Sequence, residues 1–144
     1  MVFYYSYAKG WEFYETVINA FSLLTIRTDV KEALVENGIT NVQYIPVIIE
    51  DIDTGEQNTD YYVVNFLTKL DAVNLDNSQF YYNPKYNSYS FLGNCIYFNS
   101  NIIDGVDIFI DIKASMSIFV SEKVKQIFKD NNWQTMNFTQ LGLV

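Results

Sequence analysis

The chain has 144 residues, 49% of them hydrophobic, which predicts one folded domain spanning residues 1–144 rather than a disordered chain. It contains no histidine and one cysteine, which excludes histidine catalysis, histidine metal sites and internal disulfides. Its net charge of −8 argues against nucleic acid and anionic membranes as partners and favours a basic protein.

The N-terminal segment predicts a strand followed by a helix. Residues 1–7 are strand-like, and Lys9-Gly10 is typical of a turn. Four large apolar residues then recur at helical spacing: Trp11, Tyr14, Ile18 and Phe21. They predict a short amphipathic helix over residues 11–20. The segment lacks a signal-peptide pattern and no apolar run is long enough to span a bilayer, so we expect a cytoplasmic protein.

Two segments share a strand–helix–strand pattern. In the first, residues 22–26 are strand-like, Asp29 and Glu32 predict a capping box, and Gly38 ends the helix. In the second, strands at residues 117–120 and 136–139 flank a helix that begins at a serine. A shift of 94 residues places Val30 on Val124, along with other apolar positions. The pattern is either a duplicated unit or two helices with similar caps.

The middle of the chain predicts a central strand. Residues 61–67 are almost wholly apolar or aromatic, which is typical of a strand buried on both faces. We expect Asn65, its one polar residue, to be buried and hydrogen-bonded to backbone. The preceding strand, residues 41–49, contains Pro46, which indicates an edge or a bulge. The following residues, 71–78, are typical of turns.

Residues 50–60 predict an acidic hairpin, because a Thr-Gly turn joins two β-rich runs and the segment has no lysine or arginine. Four of its carboxylates are candidates for attracting a basic partner: Asp51, Asp53, Glu56 and Asp60. Some of these acids alternate through the turn as calcium ligands can, but the EF-hand pattern is absent. We therefore expect solvated acids and no metal or cofactor.

Residues 78–93 interleave aromatic side chains with asparagine and serine. The tyrosines in this segment are Tyr81, Tyr82, Tyr86 and Tyr89. Rigid tyrosines beside small polar residues are typical of surfaces that contact another protein. The same composition also fits a hairpin whose aromatic rings cover a sheet, or a homodimer surface.

The strand predicted at residues 106–112 places Asp107 and Asp111 on one face. Two carboxylates on one face could act as an acid–base pair, together with Asp104 nearby. No third group is present to separate their pKa values, so we expect solvated acids and no enzymatic activity. The whole pattern predicts an α+β fold, with a twisted, mainly antiparallel sheet of about six to eight strands and two or three short helices.

Three blocks of sequence carry a family resemblance. They read TDVKEALVENGITNVQYIPV, DYYVVNFLTKLDAVNLDNS and IFVSEKVKQIFKDNNWQTMNF. The matched positions are Asn65, Asp71, Ser78, Phe119, Ser121 and Glu122, within a region of roughly residues 22–141. Over this region the chain resembles immunity protein family 11 of bacterial polymorphic toxin systems, formerly a domain of unknown function.

The resemblance implies a cytoplasmic bacterial protein that binds and neutralises a cognate toxin without doing chemistry. Our working hypothesis is that the four hairpin acids steer a basic toxin and that the four tyrosines contact it. One alternative is a generic interaction or scaffold module of a bacterial assembly. Another is a carboxylate-dependent hydrolase, which requires acids that converge in a pocket.

Overall fold

The computed structural model describes residues 1–6, 12–17, 19–67 and 69–144. The strands are β1 (Val2–Tyr5), β2 (Thr16–Val17), β3 (Thr25–Arg27), β4 (Val42–Asp51), β5 (Gln57–Phe66), β6 (Lys69–Leu70), β7 (Phe80–Asn83), β8 (Ser88–Phe91), β9 (Tyr97–Phe98), β10 (Ile108–Asp111), β11 (Phe119–Val120) and β12 (Gly142–Leu143). The helices are α1 (Thr28–Glu36), α2 (Ser100–Ile103) and α3 (Glu122–Asp130). The predicted α+β class is therefore confirmed.

The chain forms two compact units. The first comprises Met1–Leu67 and Ile127–Met136, and the second comprises Thr68–Gln126 and Asn137–Val144. That the whole chain folds as one domain stays a prediction. No helix among the described residues is both long and apolar enough to cross a lipid bilayer.

The first unit is built on a five-stranded sheet with the order β1-β4-β5-β3-β2. β1 and β4 are parallel, and the other neighbours are antiparallel. β5 lies at the centre, as predicted, and its Tyr61 and Val63 pack in a core with Val47 and Ile49. The Tyr61 hydroxyl donates to the Tyr14 carbonyl at 2.6 Å, which satisfies the polar end of a buried ring.

Of the predictions made for Asn65 and Pro46 in this sheet, the first is wrong and the second is confirmed. Asn65 is exposed near the end of β5 and donates to the Gln43 side chain at 3.1 Å, so the prediction of a buried asparagine is wrong. Pro46 pairs with Tyr62 on one side, and the register shifts between Val47 and Ile49. β1 pairs with β4 only from Ile48 onward, so Pro46 occupies a local edge beside a bulge, as predicted.

The predicted N-terminal helix is wrong over residues 12–17. Thr16 and Val17 form β2 instead, opposite Ile26 and Thr25 of β3. β-branched residues favour a strand, and pairing with β3 satisfies their backbone groups. Trp11 and Ile18, which contributed to the helical spacing, and the predicted turn at Lys9-Gly10 lie outside the described residues.

α1 and α3 correspond residue for residue with the shift of 94. At the end of α1, the Gly38 amide donates a hydrogen bond to Val35 O and the Ile39 amide donates to Leu34 O, both at 2.9 Å. The α3 end has the same pattern, from Asn132 to Lys129 O and from Trp133 to Phe128 O, both at 3.0 Å. Gly38 and Asn132 have φ of +79° and +56°, so both helices end in Schellman motifs.

The correspondence stops at the helix ends. Residues 136–139 form no strand, so the predicted second strand–helix–strand unit is wrong. The predicted capping box is also wrong, since Asp29 lies inside α1 and its carboxylate binds Arg27 at 2.6 Å. The sequence similarity therefore reflects two helices with the same C-terminal cap.

Replacing Gly38 with alanine is expected to lower the free energy of unfolding by about 1 kcal/mol. A Cβ at this position meets nothing within 4 Å, so the cost comes from the positive φ alone. Urea unfolding measures it, with Asn132→Gly as the matched change at α3, where we expect no loss. An unchanged midpoint for Gly38→Ala would contradict the Schellman assignment.

Glu15 is a buried carboxylate that the sequence patterns did not single out. Its Oε1 accepts the amides of Gln134 at 2.6 Å and Thr135 at 2.7 Å, and the Thr135 hydroxyl at 2.9 Å. Burial works to raise the pKa of Glu15, but these hydrogen bonds outweigh it and hold the pKa below the ordinary 4.5. Glu15 therefore joins residues 12–17 to the segment after α3.

Glu15 is expected to make stability fall in acid. Because its pKa is lower in the folded chain, its contribution is present above about pH 4.5 and is lost as the pH falls through the folded pKa. Urea unfolding at a series of pH values, on the native chain and on Glu15→Gln, isolates this contribution. We expect a smaller loss of stability in acid for the glutamine variant, and parallel curves would contradict this role.

The second unit contains three small sheets, with the orders β11-β10-β6, β12-β9 and β7-β8. Its core includes Phe98, Phe109 and Phe119, whose ring centroids lie 4.8–5.5 Å apart. β10 pairs in parallel with β6, as β12 does with β9. The prediction of a single sheet is therefore wrong, because the described strands form four sheets: two are mixed, β12-β9 is parallel and β7-β8 is antiparallel. Most of the strand pairings are antiparallel, as predicted.

Candidate functional site

The acidic hairpin is confirmed. β4 ends at Asp51 and β5 begins at Gln57, with Gly55 at φ +73° in the turn between them. The Gly55 amide donates to Asp51 O at 2.7 Å, and the Asp51 amide donates to Glu56 O at 2.9 Å. Glycine is favoured here because the backbone is left-handed. The turn is therefore fixed by its own backbone, and its side chains are left to face outward.

The four hairpin acids do not share one environment. Asp53, Glu56 and Asp60 are exposed, whereas Asp51 is only 1% exposed. The Asp51 Oδ1 accepts the Asp53 amide at 2.8 Å, and its Oδ2 finds no hydrogen-bond partner among the residues that the structure describes. The expectation of solvated acids is thus wrong for Asp51, because its side chain points to the same face as the core residues Val47 and Ile49.

A small depression adjoins the exposed acids. It has a volume of about 280 Å³, and Glu56 and Asp60 line it beside the rings of Tyr5 and Phe13. Carboxylates next to aromatic faces attract a lysine or arginine side chain. This part of the first unit therefore presents negative charge together with apolar surface.

The tyrosine segment forms a second hairpin, in which β7 pairs with β8. Phe80 lies opposite Phe91, and Tyr82 lies opposite Tyr89, so these four rings share one face. Tyr89 contacts Tyr82 at 5.0 Å and Phe80 at 5.3 Å between centroids. The Tyr82 hydroxyl also donates to Asn87 Oδ1 at 2.7 Å, next to a turn in which Asn87 has φ +47°.

The candidate tyrosines fall into two groups. Tyr81 and Tyr86 are 66% and 68% exposed, and Tyr82 is 40% exposed. Tyr89 is half-buried within the ring ladder, where it supports its neighbours. Tyr81 and Tyr86 thus project to solvent from a hairpin whose other aromatic rings pack against one another. The acids lie in the first unit and the tyrosines in the second.

The carboxylates of the hydrolase alternative are held by protein donors. Asp111 is fully buried and accepts the amides of Ala72 at 2.7 Å, Val73 at 3.0 Å and Lys113 at 2.8 Å. The expectation that it is solvated is therefore wrong. Asp107 accepts the Ser121 hydroxyl at 2.6 Å and the Lys123 ammonium at 3.2 Å. Both side chains fix local structure, and Asp104 lies exposed on the loop before them.

The described residues contain no candidate metal site. Nowhere among them do three or more cysteine, aspartate or glutamate side chains lie close enough together to hold an ion. The buried Asp111 carboxylate accepts hydrogen bonds from backbone amides. The exposed hairpins carry the candidate recognition residues of the described chain.

The chain was compared with known families and proteins. It matches the model of the immunity protein family (Imm11) over residues 1–142. No curated protein gave a significant match. The family match extends beyond the three resembling blocks to nearly the full chain, and it confirms the resemblance to immunity protein family 11. This chain therefore belongs to the Imm11 immunity protein family.

Proposed function

We propose that this chain neutralises a cognate bacterial toxin in the cytoplasm by binding it, without catalysis. The observation that carries the proposal is the family match over residues 1–142. The two exposed hairpins supply what such a role needs, which is a charged surface for encounter and aromatic contacts for affinity.

The charge of the chain favours a basic toxin. The net charge is −8, and Asp53, Glu56 and Asp60 lie exposed on one hairpin. Opposite potentials on two proteins speed their encounter, and nucleic-acid-degrading toxins are one class with basic surfaces. The depression beside Glu56 and Asp60 gives a basic side chain of the toxin a place to bind.

Removing two exposed acids is expected to slow association. The double variant Asp53→Asn with Glu56→Gln should lower the association rate constant by about 3- to 10-fold at low salt and leave dissociation nearly unchanged. The matched control is Glu32→Gln with Glu36→Gln, which removes the same charge from exposed positions of α1. Stopped-flow kinetics measures both, and equal slowing by the two pairs would contradict local steering.

Co-purification tests the proposal itself. The tagged chain is expressed with the protein encoded by the adjacent gene, and the proposal predicts a stable complex. A scaffold role predicts assembly with other proteins and a harmless neighbour. If the adjacent protein neither binds the chain nor harms cells, the immunity proposal is wrong for this chain.

A further inference from the structure

The second unit contains a cleft with a volume of about 750 Å³. Its floor includes Phe98, Phe109 and Phe119, and its sides are formed by residues 117–121 and residues 137–141. Residues 137–141 have no regular secondary structure, so that side presents chain that is not part of a sheet. The volume is within the range of about 300–1,000 Å³ that is typical of ligand pockets.

One side of the cleft is the free edge of a strand. β11 is the outermost strand in the order β11-β10-β6. The Ser121 amide donates to Asp107 O at 2.9 Å, and Val120 lies opposite Ile108. Hydrogen-bonded and non-hydrogen-bonded residue pairs alternate along an antiparallel ladder. Because Ser121 and Asp107 form a hydrogen-bonded pair, the backbone N–H and C=O groups of Val120 point away from β10. Across the described part of the chain, no backbone hydrogen bond outside the β10 pairing reaches Val120.

The mouth of the cleft is acidic. Among the described residues that line the cleft, Asp104, Asp107 and Glu122 are acidic and Lys125 is basic. Asp107 pairs with Lys123, and Glu122 pairs with Lys125 at 2.7 Å. Asp104 has no ion pair within the described ranges. The cleft thus combines an apolar floor, an open strand edge and a negative rim.

We propose that this cleft accepts an extended, basic segment of the toxin, which pairs with β11 as an added strand. β11 is two residues long and spans roughly 7 Å, so the added strand would pair with it through the outward-pointing backbone groups of Val120. Main-chain hydrogen bonds to β11 give affinity, and every second side chain of the segment, if apolar, packs against the phenylalanine rings of the cleft floor. Basic residues of the segment meet Asp104 at the rim. This inference rests on the proposed function.

Hydrogen exchange tests the inference on the full chain, alone and with the protein encoded by the adjacent gene. We expect exchange at the Val120 amide to slow at least tenfold in the complex. Val120→Pro removes the amide that faces the cleft and keeps the bonds to β10, so it should weaken binding at least tenfold. Circular dichroism and thermal unfolding establish whether this variant folds.

A second variant tests the inference even if Val120→Pro fails to fold. Asp104→Lys reverses the unpaired rim charge and should slow association at least threefold at low salt. Its matched control is Asp76→Lys, an exposed acid that does not line the cleft. Equal effects of the two changes would overturn the assignment of the acidic rim to the toxin.

The outcomes separate this inference from the proposed function. A complex that forms while exchange at residues 117–121 stays unchanged overturns the cleft and leaves the immunity proposal standing. No complex at all overturns both. Slowed exchange on concentrating the chain alone would place a second copy in the cleft, and that result also overturns the toxin as its occupant.

Discussion

Replacing Asp111 with alanine is expected to lower the free energy of unfolding by about 3–5 kcal/mol, a large part of the stability of a domain this size. The carboxylate is fully buried and accepts three backbone amides, from Ala72, Val73 and Lys113. Alanine would leave these donors without a partner in an interior that water does not reach. Urea unfolding followed by circular dichroism measures the loss.

Two further variants separate hydrogen bonding from simple removal of a side chain. Asp111→Asn keeps one acceptor oxygen, so its loss should lie between that of the native chain and that of the alanine variant. Asp107→Ala removes a half-buried carboxylate with side-chain partners and is expected to cost about 1 kcal/mol. If Asp111→Ala lowers the free energy of unfolding no more than Asp107→Ala does, the hydrogen bonds from backbone amides to Asp111 do not stabilise the second unit.

The second large effect is expected on toxin binding. Replacing both Tyr81 and Tyr86 with alanine should weaken the complex about 100-fold or more, since each removes a large exposed ring from a rigid hairpin. The ladder of Phe80, Tyr82, Tyr89 and Phe91 stays intact in this variant, so folding should be unaffected. Isothermal titration calorimetry with the adjacent-gene protein measures the affinity.

The matched control for the tyrosine pair is Tyr4→Ala. Tyr4 is also a largely exposed tyrosine on a strand, but it lies in the first unit. We expect little change in affinity for this variant. An equal loss from Tyr4→Ala, or an unchanged affinity for the tyrosine pair, would contradict the assignment of the contact surface to the β7–β8 hairpin.

Local patterns predicted the features that depend on neighbouring residues. The apolar run at residues 61–67 predicted the central strand, and the Thr54-Gly55 turn predicted the acidic hairpin. The apolar spacing around Val30 and Val124 predicted α1 and α3. In each case the deciding contacts lie within a few residues or in the adjacent strand, so the sequence contains the signal.

Long-range pairing decided what the sequence patterns missed. Asp111 was expected to be solvated, but its amide partners Ala72 and Val73 lie 39 and 38 residues away. Asp51 likewise lies in a hydrophilic run, but β4 continues through it and places its side chain on the same face as the core residues Val47 and Ile49. The parallel pairings of β1, β6 and β12 depend on chain crossovers that no local pattern records.

The central claim is that the chain protects a cell from a toxin by binding it, and one growth measurement tests that claim most directly. Bacteria express the adjacent-gene protein alone, with the native chain, or with the Tyr81→Ala, Tyr86→Ala variant. The proposal predicts arrested growth with the adjacent protein alone, rescue by the native chain, and weakened rescue by the variant. Normal growth with the adjacent protein alone, or arrest that the native chain fails to relieve, would contradict it.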